Sequence, residues 1–210
     1  MSAMLAKIFN LAQTNRVLLS RILLSSVFPA VLLTHLSWPE RALLGFAVED
    51  AAFLLIIVGA FGRIWATLYV AGRKGKELVT SGPYSVCRNP LYFFSLLMGL
   101  GIVAAFQNLL LYVPLALFHL GSYFFTILAE ERALAERFGT EYENYRARVP
   151  RFLPAFWRYR GGNAREWMSI SERRVLRCLF ESALFVMIIP LAELIEELHV
   201  RGILPVIWKH

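Results

Sequence analysis

Between Lys76 and Tyr92 the chain reads Lys-Glu-Leu-Val-Thr-Ser-Gly-Pro-Tyr-Ser-Val-Cys-Arg-Asn-Pro-Leu-Tyr, a polar, turn-rich stretch held between two hydrophobic runs. Further on, where another apolar run ends, come Glu130 and Glu131, then Phe138-Gly139, Tyr142, Tyr145 and Val149-Pro150. Two polar clusters at helix ends can face one cavity, and chemistry at a membrane surface needs such a place. Asn89-Pro90 is a favourable helix start, with Asn as the cap and Pro at the first helical position. That start puts amide donors and the positive helix end beside Tyr84 and Tyr92. The paired carboxylates across the cavity are candidates to accept a proton. Read for geometry alone, the same tyrosines also suit an interfacial aromatic belt.

The elements that must position these groups are membrane helices. Apolar residues make up 58% of the chain and mean hydropathy is strongly positive, more than a soluble domain of this length carries. The expectation is an all-α integral membrane protein, one domain over residues 1–210, with about five transmembrane helices and an interfacial amphipathic segment. The spans fall near 17–36, 48–70, 90–106, 108–129 and 174–198, the first an uncleaved anchor. Only Gln107-Asn108 separates the third span from the fourth, which predicts a tight antiparallel hairpin. Lysine and arginine gather on one side if the N-terminus is cytoplasmic and the C-terminus opposite: Lys7, Arg16 and Arg21, then Arg73, Lys74, Lys76 and Arg88, then the arginines from Arg132 to Arg177. The net charge of +7 is therefore a cytoplasmic positive surface suited to anionic lipid, and nucleic acid is the poorer partner.

Local signals refine this. Gly72 and Gly75 end the second span, and Ser81-Gly82-Pro83 turns the chain back. Gly139 ends the fourth helix, Thr140 and Glu143 have capping-box spacing, and Leu134, Phe138, Tyr142, Tyr145 and Val149 make one apolar stripe. Arg151 to Trp157 anchors the following turn at headgroup level. Ser169 and Glu172 have capping-box spacing before the fifth span, and Pro190 kinks it. Ionisable residues inside spans are costly, which singles out Glu49, Asp50, Arg63, His119 and Glu181. Arg63 has Glu130, Glu181 or a substrate carboxylate as possible partners, and a structural ion pair is as good a reading as a ligand role. Cys87 and Cys178 have no metal-ligand spacing and read as packing residues, and no metal is expected.

The run Leu78-Val79-Thr80-Ser81-Gly82-Pro83-Tyr84, then Arg88-Asn89-Pro90-Leu91-Tyr92, Glu130-Glu131, Phe138-Gly139, Tyr142, Tyr145 and Val149-Pro150 resembles the isoprenylcysteine carboxyl methyltransferase and phospholipid methyltransferase superfamily. The resemblance covers roughly residues 60–157, and it rests on the order and spacing of elements none of which is specific alone. It implies a membrane enzyme that binds S-adenosylmethionine at the cytoplasmic face, between segments 72–92 and 130–157, and methylates a lipophilic or lipid acceptor entering from the bilayer. Cofactor contacts would fall on Lys76, Glu77, Leu78, Val79, Tyr84, Asn89, Pro90, Leu91, Tyr92 and Glu130, with Tyr69 a further candidate. Glu130 and Glu131 would be the catalytic carboxylates, needed if the acceptor is an amine that must lose a proton, and Arg63 would be a substrate residue. Tyrosine faces suit a sulfonium cation, an attraction on the order of 1 kcal/mol or more when desolvated.

Two positions depart from the pattern. Asn89 stands where the family commonly has histidine, and Thr126 stands four residues before Glu130, where the carboxylate-methylating enzymes have arginine. The second departure argues against a prenylcysteine carboxylate as substrate. Two other functions fit parts of the pattern: a membrane reductase of the sterol reductase type that binds NADPH, and a non-catalytic binding or assembly protein on the same scaffold.

Overall fold

Leu43–Val70 forms one 28-residue helix, α1, because nothing in this apolar run interrupts the backbone ladder before Gly72. The structure is a computed structural model and describes residues 43–73, 76–105, 109–162 and 172–203. After α1 come the one-turn helix α2 (Pro83–Val86), α3 (Pro90–Ala105), α4 (Leu109–Phe138) and α5 (Thr140–Arg148). A short 3-10 turn over Phe156–Arg158 precedes α6 (Glu172–Val186) and α7 (Ile188–Val200). Among the described residues all regular structure is helical, in agreement with the expected class.

Helices α1 and α3 make the main packing contact, and small residues let them approach closely. A Cβ added at Gly59 would lie 2.7 Å from the Phe94 carbonyl oxygen and 2.8 Å from the Met98 nitrogen, so backbone fills the space a side chain would need. Gly101 meets the Ala52 carbonyl oxygen in the same way at 2.7 Å. Residue 59 faces 94 and 98 while 52 faces 101, so the two helices run antiparallel. Ala52, Ile56, Ala60 and Ala66 are buried along this seam, whereas Phe46, Phe53, Leu54, Val58 and Phe61 stay exposed on α1. An apolar outer face is costly in water and favourable in lipid.

Gly45–Val70, at 26 residues, and Glu172–Val200, at 29, are long and apolar enough to cross a bilayer. They match the expected spans 48–70 and 174–198. The expected span 90–106 corresponds to α3, of which 16 residues are described. The span 108–129 forms the first part of α4, which continues without a break to Phe138. The first span, 17–36, lies outside the described residues, as does the 106–108 turn of the expected hairpin. Tyr92 in the first turn of α3 nevertheless meets Tyr123 of α4, ring centroids 5.3 Å apart, the register that an antiparallel hairpin gives.

Pro190 acts as expected, and its effect appears upstream. Proline has no N–H for the Val186 carbonyl and its ring crowds that oxygen, so regular helix stops at Val186 and resumes at Ile188. Gly139 ends α4 with φ 50°. The capping box expected on Thr140 does not form: Gly139 itself is the N-cap of α5 and no side chain caps it. Thr140 is already helical, so its hydroxyl is one residue too late, and Glu143 instead pairs with Arg146 at 3.3 Å. Ser169 of the other expected box lies outside the described residues.

Candidate functional site

Three pieces of chain converge on the loop from Ser81 to Pro90. The turn begins at Gly82 with φ 60°, and an added Cβ there would overlap the Tyr69 ring. Tyr69 thereby braces the turn from α1, with Trp65 packed edge-on at 6.4 Å and Tyr159 hydrogen-bonded to its side chain. Helix α5 supplies the second piece. Tyr142 and Tyr145 are buried while the rest of its surface is exposed, and the Tyr145 hydroxyl donates to the Tyr84 carbonyl at 2.7 Å. Of the expected apolar stripe Tyr142 and Tyr145 are buried, and Tyr145 packs on the loop, while Leu134, Phe138 and Val149 are half-buried.

The third piece is a strap over residues 150–160, hydrogen-bonded along the loop. The Arg88 N–H donates to the Pro150 carbonyl at 2.9 Å, and the Ala155 N–H to the Val86 carbonyl at 2.9 Å. The Gly82 N–H donates to the Arg160 carbonyl at 2.8 Å, and the Arg160 N–H to the Ser85 hydroxyl oxygen at 2.8 Å. Buried main chain needs such partners. The strap supplies them, and the loop is covered.

Glu131 joins the strap and the loop to α4. Its carboxylate receives Arg88 Nη2 at 3.2 Å, Arg151 Nη2 at 3.0 Å and Asn89 Nδ2 at 3.2 Å. Asn89 Nδ2 also reaches the Arg151 carbonyl at 3.0 Å, while the Asn89 carbonyl accepts the Phe93 N–H that starts α3. Asn89 thus holds the cap position, with its amide turned to the strap and to Glu131. The cluster has two guanidinium groups for one carboxylate. Buried Arg88 Nε and Nη1 and the Tyr142 hydroxyl have no hydrogen-bond partner, which at buried sites calls for a further group.

Tyr84, Tyr92 and Glu130 gather on the neighbouring side of the loop. Burial is the main cause that raises the Tyr84 phenol far above its ordinary value, and Glu130, Cys87 and Tyr92 lie close enough to add to the rise. The phenol is a neutral hydrogen-bond donor at any physiological pH. Burial likewise pushes the Cys87 thiol up to about 12. The Tyr142 phenol also rises to about 12, through burial and then the Glu131 charge. Neither is an ionised nucleophile near neutrality.

Of the residues singled out in the sequence, Tyr84, Asn89, Tyr92, Glu130 and Glu131 come together here. Pro90 is fully buried at the head of α3, with Leu91 half-buried beside it. Leu78 and Val79 are half-buried on the approach to the loop, and Lys76 is exposed. Glu77 pairs with Arg73 at 3.0 Å. Arg63 lies elsewhere, in an ion pair with Glu181 where α1 packs on α6, beside a Thr67 to Cys178 hydrogen bond of 3.2 Å. Of the partners left open by the sequence, Glu181 is the one it takes. Arg88, Arg151 and Tyr145 were not singled out as site residues. The signal for Arg88 was its place just before a buried helix start.

Residues 51–141, which contain the loop and both glutamates, match the phospholipid methyltransferase family. The cobalt-zinc-cadmium resistance protein CzcN of Cupriavidus metallidurans is 32% identical over 195 residues, 93% of this chain and 88% of that protein. The chain belongs to the phospholipid methyltransferase family. A second relative, the nickel-cobalt-cadmium resistance protein NccN of Alcaligenes xylosoxydans xylosoxydans, is 34% identical over 140 residues, 67% of this chain and 65% of that protein. No solved structure matches the chain. Family members are membrane methyltransferases that generally use S-adenosylmethionine, so two observations bear on its fit to this chain. Tyr84, Tyr92 and Tyr123 supply aromatic surface beside Glu130, and Arg88 with Tyr142 supplies buried donors in want of an acceptor. A cationic sulfonium and a carboxylate are the groups those two features accept.

Proposed function

We propose that the chain is an S-adenosylmethionine-dependent methyltransferase acting on a lipophilic or lipid acceptor at the cytoplasmic membrane face. It would be a five-crossing protein with its N-terminus inside and its C-terminus opposite. The observation that supports this reading is the contact between the 72–92 and 130–157 segments, through the Arg88–Glu131 ion pair of 3.2 Å and the Tyr145–Tyr84 hydrogen bond of 2.7 Å, with the Glu130 charge near the Tyr84 phenol. S-adenosylmethionine supplies an electrophilic methyl group when bound. Tyr84, Tyr92 and Leu91, with Leu78 and Val79, would hold it, and Asn89 and Pro90 fix the loop. Arg88 and Tyr142 would donate to its carboxylate through the buried atoms that otherwise lack partners.

The protein's share of the rate is positioning and exclusion of water, since an in-line displacement needs the two reactants aligned and little else. For an amine acceptor a proton must also leave. Glu130, partly accessible beside Tyr84, takes it, while Glu131 holds Arg88 and Arg151 in place. Two relatives carry names that refer to resistance to cobalt, cadmium, and zinc or nickel. We read the methyl transfer as serving metal tolerance through a modified membrane component.

Titrating detergent-purified protein with S-adenosylmethionine and with NADPH tests the assignment. Saturable binding of the first alone is expected. Binding of NADPH alone means a reductase, and binding of neither means a scaffold protein. Membranes incubated with methyl-labelled S-adenosylmethionine then show which lipid fraction gains the label. In a host whose metal tolerance depends on the gene, Glu130→Gln should fail to restore growth.

A further inference from the structure

A cavity of about 840 Å³ opens on the other side of the strap, between Thr80-Ser81, the end of α5 and residues 157–161. None of the residues assigned to the cofactor lines it. We propose that Arg148, Arg158 and Arg160 make this cavity a binding site for the phosphate of an anionic membrane lipid. The site is independent of the methyl-transfer reading, and it would exist in a protein with no catalytic activity.

Charge is the first argument. Among the described residues that line the cavity three are arginines and none is acidic. From Arg146 to Arg160 the sequence holds five arginines and no aspartate or glutamate. Arg148 Nε is used on the Asn144 carbonyl at 3.0 Å, and Arg158 Nη1 on the Arg148 carbonyl at 2.6 Å. Each guanidinium has five N–H donors, so most remain for a ligand. Phosphate oxygens match the guanidinium fork, and the Thr80 and Ser81 hydroxyls at the rim are of the kind that adds to such a contact.

The apolar neighbours select the source of the phosphate. Trp157, which lines the cavity, is 83% exposed, and Leu153 and Phe156 of the same strap are 73% and 58% exposed. A soluble phosphate would leave these side chains in water. A lipid lets them enter the headgroup and acyl boundary while the arginines hold the phosphate, the division of labour at membrane interfaces. The backbone fixes the cavity in shape: the Arg160 N–H is held by Ser85, whose hydroxyl in turn donates to the Gly82 carbonyl at 2.7 Å.

The test uses the full chain purified in a neutral detergent, titrated with short-chain phosphatidylglycerol and followed by tryptophan fluorescence, to which Trp157 contributes directly. Saturable binding is expected, at least tenfold tighter than for phosphatidylcholine of the same chain length. The triple variant Arg148→Gln, Arg158→Gln, Arg160→Gln should bind at least tenfold more weakly. The triple variant with lysine at the same positions keeps the charge and loses the fork, so it should bind more weakly than the parent and more tightly than the glutamine variant, and Arg173→Gln with Arg174→Gln on α6 should leave binding unchanged. Inorganic phosphate that binds as tightly as the lipid overturns the lipid assignment. So does phosphatidylcholine binding as tightly as phosphatidylglycerol, or a loss in the α6 variant equal to that in the cavity variant.

Discussion

Glu131 and Arg88 form an ion pair of 3.2 Å in which both side chains are less than a tenth exposed, and it ties the end of α4 to the turn that starts α3. The two residues are far apart in sequence. The pair brings the loop and the paired glutamates side by side.

Glu131→Gln should therefore act mainly on stability. It leaves the Arg88 guanidinium buried without its counter-charge, a change that costs about 3–5 kcal/mol at buried pairs. Arg151 adds little to the figure, because its side chain is 43% exposed and screened. Glu130→Gln should instead cost less stability than Glu131→Gln and lower turnover on an amine acceptor by roughly 10²–10⁴-fold. Equal loss of stability in both variants would mean that the two carboxylates do not divide their roles in this way.

Much of the frame was legible in the sequence because it depends on neighbours in the chain. The start of α3 at Asn89-Pro90, the end of α4 at Gly139 and the break before Pro190 each follow from one or two residues and a backbone rule. The buried face of α5 followed from spacing alone, since Tyr142 and Tyr145 recur on one side. The clasp did not. Glu131 meets Asn89 across a separation of 42 residues and Arg151 across 20, and several exposed arginines nearby were equal candidates by type. The missing capping box shows the same limit at short range. Thr140 had the right spacing, and only the φ of Gly139 decided which residue became the cap.

Gly59→Val should disrupt the α1–α3 pair. Its Cβ meets the Phe94 carbonyl and the Met98 nitrogen below 3 Å, and backbone cannot step aside as a side chain can. Overpacking of this kind costs about 1–3 kcal/mol or more. Gly45→Ala, on the same helix with nothing within 4 Å, should stabilise by roughly 0.5–1 kcal/mol through helix preference. Thermal unfolding of the two variants in one detergent checks the contrast.

Alkaline pH should weaken the fold. Burial raises the Cys87 thiol from 9.0 to about 12 and is the largest cause raising the Tyr142 phenol from 10.0 to about 12. Both groups are neutral in the folded and unfolded chain below pH 9, so their full contribution is present there. Above it the unfolded chain loses protons that the folded chain keeps, and stability falls as pH rises through about 12. Melting temperatures measured between pH 7 and 11 should decline, and Cys87→Ala should decline less steeply. At pH 8 the folded protein should leave Cys87 unmodified by a maleimide, and prompt labelling there would refute the buried thiol.

The ion pair between Arg63 and Glu181 separates a structural from a substrate role for Arg63. Either Leu substitution alone strands a charge where α1 packs on α6, so Arg63→Leu and Glu181→Leu should each lower stability. The double variant removes both charges and should recover part of the loss, with a coupling of about 0.5–3 kcal/mol between the two sites. Glu181 is 38% exposed at its side chain, which puts the expected value toward the low end. Activity then decides the role. A double variant that folds and turns over lipid like the parent makes the pair a structural rivet between helices. A folded double variant with a raised KM and unchanged kcat would show that Arg63 also meets the acceptor, because lost uniform binding appears in KM alone.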